Sequence, residues 1–346
     1  MSVRRLAVTR LILAIVSSAV LVTIVPSGRS ATFSAWLSGG DNYALLESAQ
    51  RQFDAGNYAY AIQTLQSALQ QAPKSAEAYY WLGRSYFEVR DYDKAIANGE
   101  KSVSLDGRSS VYHHWLGREY GAKADRDRSF LVARKVKKEL EAAIQLDPAN
   151  IAARRDLLDY DLTAPWVLGG DKVEAKAQVD AIAAMDPMQG HVAQAIFYID
   201  SAKRPDLAEN EYRQILAAKP SQLEPYLEVA GFYEGQGNAT ALQTTVDAAK
   251  RVSANDPRVT FFSAVAKILA GTDQSQADED LKSYIASTPV RSDWPSHAAA
   301  REWLGRLYEK EGKPAEAAEQ YRASLQLDPQ RKDARARLQQ LEKGAR

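Results

Sequence analysis

Tyr80, Trp81, Arg84 and Phe87, followed one stretch later by His114, Trp115 and Arg118, are the residues of this 346-residue chain whose types and spacing could do chemistry. Residues three or four apart on a helix share a face, so each set should converge. Indole rings bury large areas and guanidinium groups make forked hydrogen bonds to carboxylates, which is the chemistry of recognition. Two arrangements fit the set. Either the rings pack between neighbouring helices with the arginines stacked over them as internal cation–π pairs, or the set faces a ligand. Packing is favoured for the tryptophans and ligand contact for Arg84 and Arg118. Arg155 extends them into a basic track for acidic side chains or a sugar acid.

Groupings that break bonds are scarce in this sequence. It contains no H-E-x-x-H, no G-x-S-x-G and no G-x-x-x-x-G-K. The four histidines are His113, His114, His191 and His297; neighbours on a helix point about 100° apart, so His113 and His114 make a poor chelating pair. Asp278, Glu279 and Asp280 read as solvated acids near a helix start. With no cysteine at all, a lipid-modified N-terminus, a disulfide framework and cysteine metal sites are all excluded. The expectation is a binding protein, not an enzyme, with no cofactor and no metal.

The elements that must hold these residues announce themselves as a repeat. Trp81-Leu-Gly-Arg-Ser-Tyr86 recurs as Trp115-Leu-Gly-Arg-Glu-Tyr120 and Trp303-Leu-Gly-Arg-Leu-Tyr308. Helix-ending prolines stand at Pro73, Pro148, Pro187, Pro220, Pro257, Pro289 and Pro329, with Gly107 filling one slot, at intervals of 32 to 41 residues. Twelve residues before these positions lies a second marker, a small residue in most units: Ala61, Ala95, Val136, Ala175, Ala208, Ala277 and Ala317, with Leu242 placed by its own first helix. The turns between helices read well too, as in Gly56-Asn57, Gly237-Asn238 and Gly312-Lys313-Pro314.

The Leu-Gly-x-x-Tyr core and the agreement of the two markers from Asn42 to Pro329 resemble the tetratricopeptide repeat, a helix pair of about 34 residues. The resemblance implies an all-α fold, an α-solenoid of about eight helix pairs forming one right-handed superhelix over 42–331. Residues 332–346 are expected as a capping helix and tail, because an end repeat needs a polar outer face. It also implies a concave groove lined by first helices, with Tyr80, Trp81, Arg84, Phe87, His114, Trp115, Arg118 and Arg155 as its candidate contacts. Members that clamp a C-terminal carboxylate use Lys and Asn where this chain carries Leu46, Gln50 and Trp81, which argues against that ligand.

One segment departs from the repeat. The Ala-Pro-x-x-x-Gly-Gly-Asp-Lys loop over 164–172 is similar to one in a set of uncharacterised exported bacterial repeat proteins. Its candidate residues are Pro165, Trp166, Gly169 and Gly170. Trp166 is expected to plug the repeat body locally, since an indole is costly to leave in water, the other arrangement being a loop that overhangs the groove. The charged stretch Gly121 to Ser129 is expected to be a mobile loop.

At the N-terminus, Arg4, Arg5 and Arg10 precede Leu11 to Val25, fifteen residues without a charge, then Pro26 and the small pair Ser30-Ala31. This is the pattern of a secretory signal over 1–30, followed by a linker over 31–41. Its apolar core would span roughly 22 Å, short of the roughly 30 Å of a bilayer's hydrocarbon. Cleavage near Ser30 is favoured over a retained anchor. The full chain has 44 basic and 44 acidic residues; removing 1–30 takes four arginines and no acid, leaving a charge of −4, so nucleic acid is not an expected partner. The chain is thus expected to be a periplasmic or secreted monomer that binds a protein or peptide, with membrane association only through 11–25. The alternative is an assembly subunit of an envelope complex, anchored by that segment and facing the periplasm.

Overall fold

Helix starts in this chain are set by side-chain caps. Ser75 accepts from the backbone N–H of Ala78, Ser109 from Tyr112, Asn150 from Ala153, Asn238 from Ala241 and Ser296 from Ala299, each satisfying a donor that the first turn leaves open. Two of the marker prolines, Pro187 and Pro257, double as the first residue of the following helix, where a missing N–H does no harm. Gly237 and Gly312 end their helices with φ of 65° and 71°, a left-handed conformation that glycine adopts without strain.

The computed structural model describes residues 33–344, with side chains from 42 onward. The helices, in chain order, are α1 (Phe33–Asp54), α2 (Tyr58–Gln71), α3 (Ala76–Glu88), α4 (Tyr92–Leu105), α5 (Ser110–Asp127), α6 (Phe130–Leu146), α7 (Ile151–Thr163), α8 (Lys172–Met185), α9 (Pro187–Phe197) and α10 (Pro205–Ala218). They continue with α11 (Glu224–Gln236), α12 (Ala239–Val252), α13 (Pro257–Ala270), α14 (Gln274–Ser287), α15 (His297–Lys310), α16 (Pro314–Leu327) and α17 (Lys332–Gly344). Among the described residues there is no strand. Eight successive helix pairs and a final helix are the all-α repeat architecture that the proline and small-residue markers indicate.

The markers mark the core. Ala61, Ala95, Val136, Ala175, Ala208, Leu242, Ala277 and Ala317 are all 7% exposed or less. A small side chain at most crossings lets the second helix lie close on the first, so each repeat buries its apolar stripe against its neighbours and no global core is needed. Consistent with that, the chain divides into two compact units, with the division between Glu209 and Asn210 inside α10. One continuous body was expected. The break falls where α9 ends in a π-turn (Tyr198–Ala202) and where Lys203 and Lys219, either side of α10, take left-handed conformations.

Two local expectations are corrected. Residues 33–41, expected as linker, are helical as the first turns of α1; no proline interrupts 33–54, and extending an existing helix is far easier than starting one. Gly121 to Asp127, expected as a mobile loop, continues α5. Ala124 is buried there, and Lys123 pairs with Asp93 and with Asp127 at 3.0 Å. The secretory signal expected over 1–30 lies outside the described residues. No described helix is long and apolar enough to cross a membrane.

Candidate functional site

All three Trp-Leu-Gly-Arg hexapeptides fold into the same local device. The leucines Leu82, Leu116 and Leu304 are buried, Leu82 among Leu46, Ala49 and Leu65 and Leu116 against Val136 and Leu140. A Cβ on Gly83 would stand 2.7 Å from Glu119 Oε1, on Gly117 3.0 Å from Leu140 Cδ2 and on Gly305 2.5 Å from Tyr321 Cε1, so each glycine is a point of close approach. The arginine three residues beyond each tryptophan lies back over its ring, with guanidinium carbon to ring centroid distances of 4.6 Å (Arg84 on Trp81), 4.3 Å (Arg118 on Trp115) and 4.4 Å (Arg306 on Trp303). The i, i+3 spacing makes this a cation–π pair within one helix.

In the unit ending at Glu209 the first two copies merge. Tyr80 lies 5.3 Å from Trp81 and 6.5 Å from Trp115, and Phe87 5.9 Å from Trp115, ring centre to ring centre. Arg84 sits at the centre, 4.1 Å from the Trp115 centroid, 4.6 Å from those of Phe53 and Trp81, and 5.6 Å from that of Tyr80. Its Nη1 donates to the Tyr80 hydroxyl at 3.3 Å, its buried Nε has no partner, and no carboxylate among the described residues forms an ion pair with it. Arg118 stacks on Trp115 and reaches Asp156 Oδ2 at 3.7 Å, which His114 Nε2 also meets at 2.7 Å. Arg155 stands beside this acid on α7 and donates to Gln189 Oε1 at 3.4 Å.

The electrostatics follow from burial. Desolvation pushes the Asp156 carboxyl up, but the hydrogen bond to His114 and the charges of His114, Arg118 and Arg155 outweigh it and hold the group below its ordinary value. Glu119 is the opposite case. Its side chain fills the space between Gly83 and Gly99, Oε2 has no hydrogen-bond partner, and burial raises its pKa well above the usual glutamate value despite the charge of Arg84 nearby. The face built by α1, α3, α5 and α7 therefore carries Arg84, Arg118 and Arg155 alongside Asp156, whose carboxyl these neighbours hold below its ordinary value.

Seven of the eight candidate contacts are thus brought into one connected cluster, with Arg155 at its edge. Three members were missed: Phe53 at the end of α1, Tyr112, whose ring centre is 5.0 Å from that of Tyr80, and Asp156. None of the three lies in a hexapeptide, so only the stacking of helices reveals them.

The loop candidates lie elsewhere. Pro165 and Trp166 open a short 3-10 turn (Trp166–Leu168), Gly169 follows with φ of 91°, and at Gly170 any Cβ would collide with the Ala164 carbonyl. The turn is fastened to α6, where Lys137 Nζ donates to the Gly169 carbonyl at 2.8 Å. Trp166 does not plug the repeat body. It is 83% exposed, because these tethers hold the backbone in a position that turns the indole outward. Trp294, in the loop between α14 and α15, is partly covered between Arg258 and Arg291, 5.1 and 5.2 Å from its centroid.

Paired helices crossing at buried small residues, with glycines at points of close approach, define a helical repeat protein. Profiles described as tetratricopeptide repeat match residues 52–97 and 275–332, so the chain carries tetratricopeptide repeats over those two stretches. No curated protein matches its sequence. Similar solved structures include a thermophilic tetratricopeptide repeat protein of Thermus thermophilus (21% identity, TM-score 0.46, covering 56% of this chain and 98% of that one). A tetratricopeptide repeat protein of Parabacteroides merdae is 12% identical (TM-score 0.43, covering 87% and 98%), and PilF of Pseudomonas aeruginosa 15% identical (TM-score 0.44, covering 63% and 95%). Repeats of this kind are protein–protein interaction modules, and the chain is such a scaffold.

Proposed function

We propose that the chain binds a peptide or partner protein, as a monomer, across the face made by α1, α3, α5 and α7, and that Arg84 receives a carboxylate of that partner. The observation that carries this is the state of Arg84: a guanidinium held among four rings from three helices, with no acid of its own among the described residues. A charge kept unpaired in such surroundings has most to gain from an incoming anion, and stacked aromatics leave its planar fork preorganised. Arg84→Ala combined with Arg118→Ala is expected to weaken binding of a partner captured from an envelope extract by about 2–4 kcal/mol, read by calorimetry. Unaltered binding in a folded double variant sinks the proposal; a large fall in melting temperature with binding intact would assign both arginines to packing alone.

The site of action is proposed to lie beyond the inner membrane. Support comes from Arg4, Arg5 and Arg10 ahead of the uncharged stretch Leu11 to Val25 and from the small pair Ser30-Ala31. N-terminal sequencing of protein from an envelope fraction is expected to begin near Ala31. Recovery of an intact Leu11 to Val25 segment in membranes would instead favour a tethered subunit of an envelope complex.

A further inference from the structure

Away from the Arg84 face, the first turn of α6 and the turn ahead of α8 hold large apolar side chains in water. Phe130 is 66% exposed, Leu131 80% and Trp166 83%. Steps of about 100° along α6 place Phe130, Leu131, Arg134, Lys135 and Lys138 on one stripe, and all five are exposed. The opposite side of the helix, Val136, Leu140 and Ala143, is already spent on the core.

Trp166 borders the same stripe. The Tyr160 hydroxyl lies 3.1 Å from the Ala133 carbonyl of α6 and 2.7 Å from the Leu168 carbonyl, while Lys137 holds Gly169. Both anchors, Ala133 and Lys137, lie on the flank of α6 next to Phe130. Around these apolar tips stand cations: Arg128, Arg134 and Lys138 are exposed and have no carboxylate partner among the described residues, and Lys135 shares Glu100 at 3.3 Å. Glu141 is the acid on the same stripe.

We propose that this surface docks on an anionic phospholipid bilayer, with Phe130, Leu131 and Trp166 entering the headgroup region and Arg128, Arg134 and Lys138 meeting lipid phosphates. The apolar groups stand out from a helix start and a turn tip, which suits a soft, nearly flat partner better than a peptide needing a groove. Tryptophan, phenylalanine and leucine beside unpaired arginine and lysine is the composition of segments that lie in a membrane interface. The charge complements anionic lipid, and the contact is separate from residues 11–25.

The test is vesicle flotation of the full chain, in a background carrying Ile15→Asp and Val20→Asp so that the apolar N-terminal segment does not itself partition. Vesicles of phosphatidylcholine with about 30% phosphatidylglycerol are compared with phosphatidylcholine alone. Binding is expected on the anionic vesicles and to fade at high salt. Arg134→Gln with Lys138→Gln should weaken it by roughly fivefold per charge removed, and Phe130→Ser with Trp166→Ser should abolish it. The Trp166 component of the emission, taken as the difference from Trp166→Phe, should shift to the blue. Circular dichroism checks that these surface variants stay folded. Absence of binding to anionic vesicles, equal binding to neutral ones, or binding untouched by both double variants overturns the proposal; a surface serving a protein partner would give the first of these.

Discussion

The hexapeptide in α3 and its copy in α15 share a Trp-Leu-Gly-Arg core, a fold and a Trp–Arg stack, yet their arginines, Arg84 and Arg306, live in opposite electrostatic settings. Arg306 donates to Glu302 at 2.6 Å and reaches Asp333 at 3.3 Å, Glu302 is also held by Arg331 at 2.7 Å, and Trp303 donates to Glu234 at 2.6 Å. Arg84 has aromatic rings and a tyrosine hydroxyl instead. Both arginines leave a buried Nε unpaired. The motif is therefore a folding device first. Whether it is also a binding device depends on the neighbours, and in the C-terminal copy the final helix α17 supplies an acid, Asp333, that a ligand would otherwise provide.

That contrast can be broken in stability. Trp303→Ala removes a buried ring and strands Glu234 without its donor, so it is expected to cost about 3–5 kcal/mol in denaturant unfolding. Trp81→Ala, at a half-buried ring, should cost clearly less. Equal losses would mean that the two settings differ less than their geometry indicates.

In binding, the order reverses. The loss of about 2–4 kcal/mol expected for the Arg84 and Arg118 double variant should have no counterpart in Arg306→Ala, whose guanidinium is already satisfied by chain acids. If Arg306→Ala impairs partner capture as much, the unpaired state of Arg84 is not what recruits the partner.

A smaller effect, readable as a pH slope, separates the fifth hexapeptide positions. Ser85, Glu119 and Leu307 are equivalent and all buried, but only Glu119 can ionise. Its raised folded-state pKa means the folded chain keeps a proton that the unfolded chain has lost. Its contribution is thus fully present below the ordinary glutamate range and is lost as pH climbs through the folded value. Glu119→Gln should raise the melting temperature at neutral pH and flatten its decline as pH climbs above the ordinary glutamate range. A difference between variant and wild type that does not change with pH would show that Glu119 stays in one protonation state throughout.

The smallest expected effects are the caps. Ser109 on α5 and Ser296 on α15 make the same bond to the third residue of their helices. Ser109→Ala and Ser296→Ala should each cost about 1 kcal/mol by thermal unfolding, and a marked inequality would point to differences in scaffold rather than in surroundings.

How much of this was legible in the sequence divides along the same line. Local and periodic features were: Pro187 and Pro257 just past helix ends, Ala61 and Ala317 at crossings, and the face shared by Trp81 and Arg84 follow from spacing alone. Features that depend on which helices meet were not. Phe53, Tyr112 and Asp156 complete the cluster from α1, α5 and α7 without a motif of their own, and Asp333 reaches Arg306 from α17. Trp166 was misjudged because burial was inferred from residue type, whereas the tethers from Tyr160 and Lys137 decide which way the turn faces.

The carboxyl of Glu119 occupies the room that a methyl group on Gly83 or on Gly99 would need. Three positions on three helices are consequently tied together in descent. Alanine, which serves the helix better than glycine, is closed to positions 83 and 99 while glutamate stands at 119, and is less hindered once that side chain shortens. A lineage that exchanged Glu119 for serine, the residue at the equivalent position in the preceding repeat, would lift the severest clash at both glycines, leaving the Ala95 carbonyl 3.2 Å from a Cβ at 83 and Leu116 Cδ1 3.1 Å from one at 99. With both glycines filled, the reverse path would be barred, since the cleft for a glutamate would no longer exist.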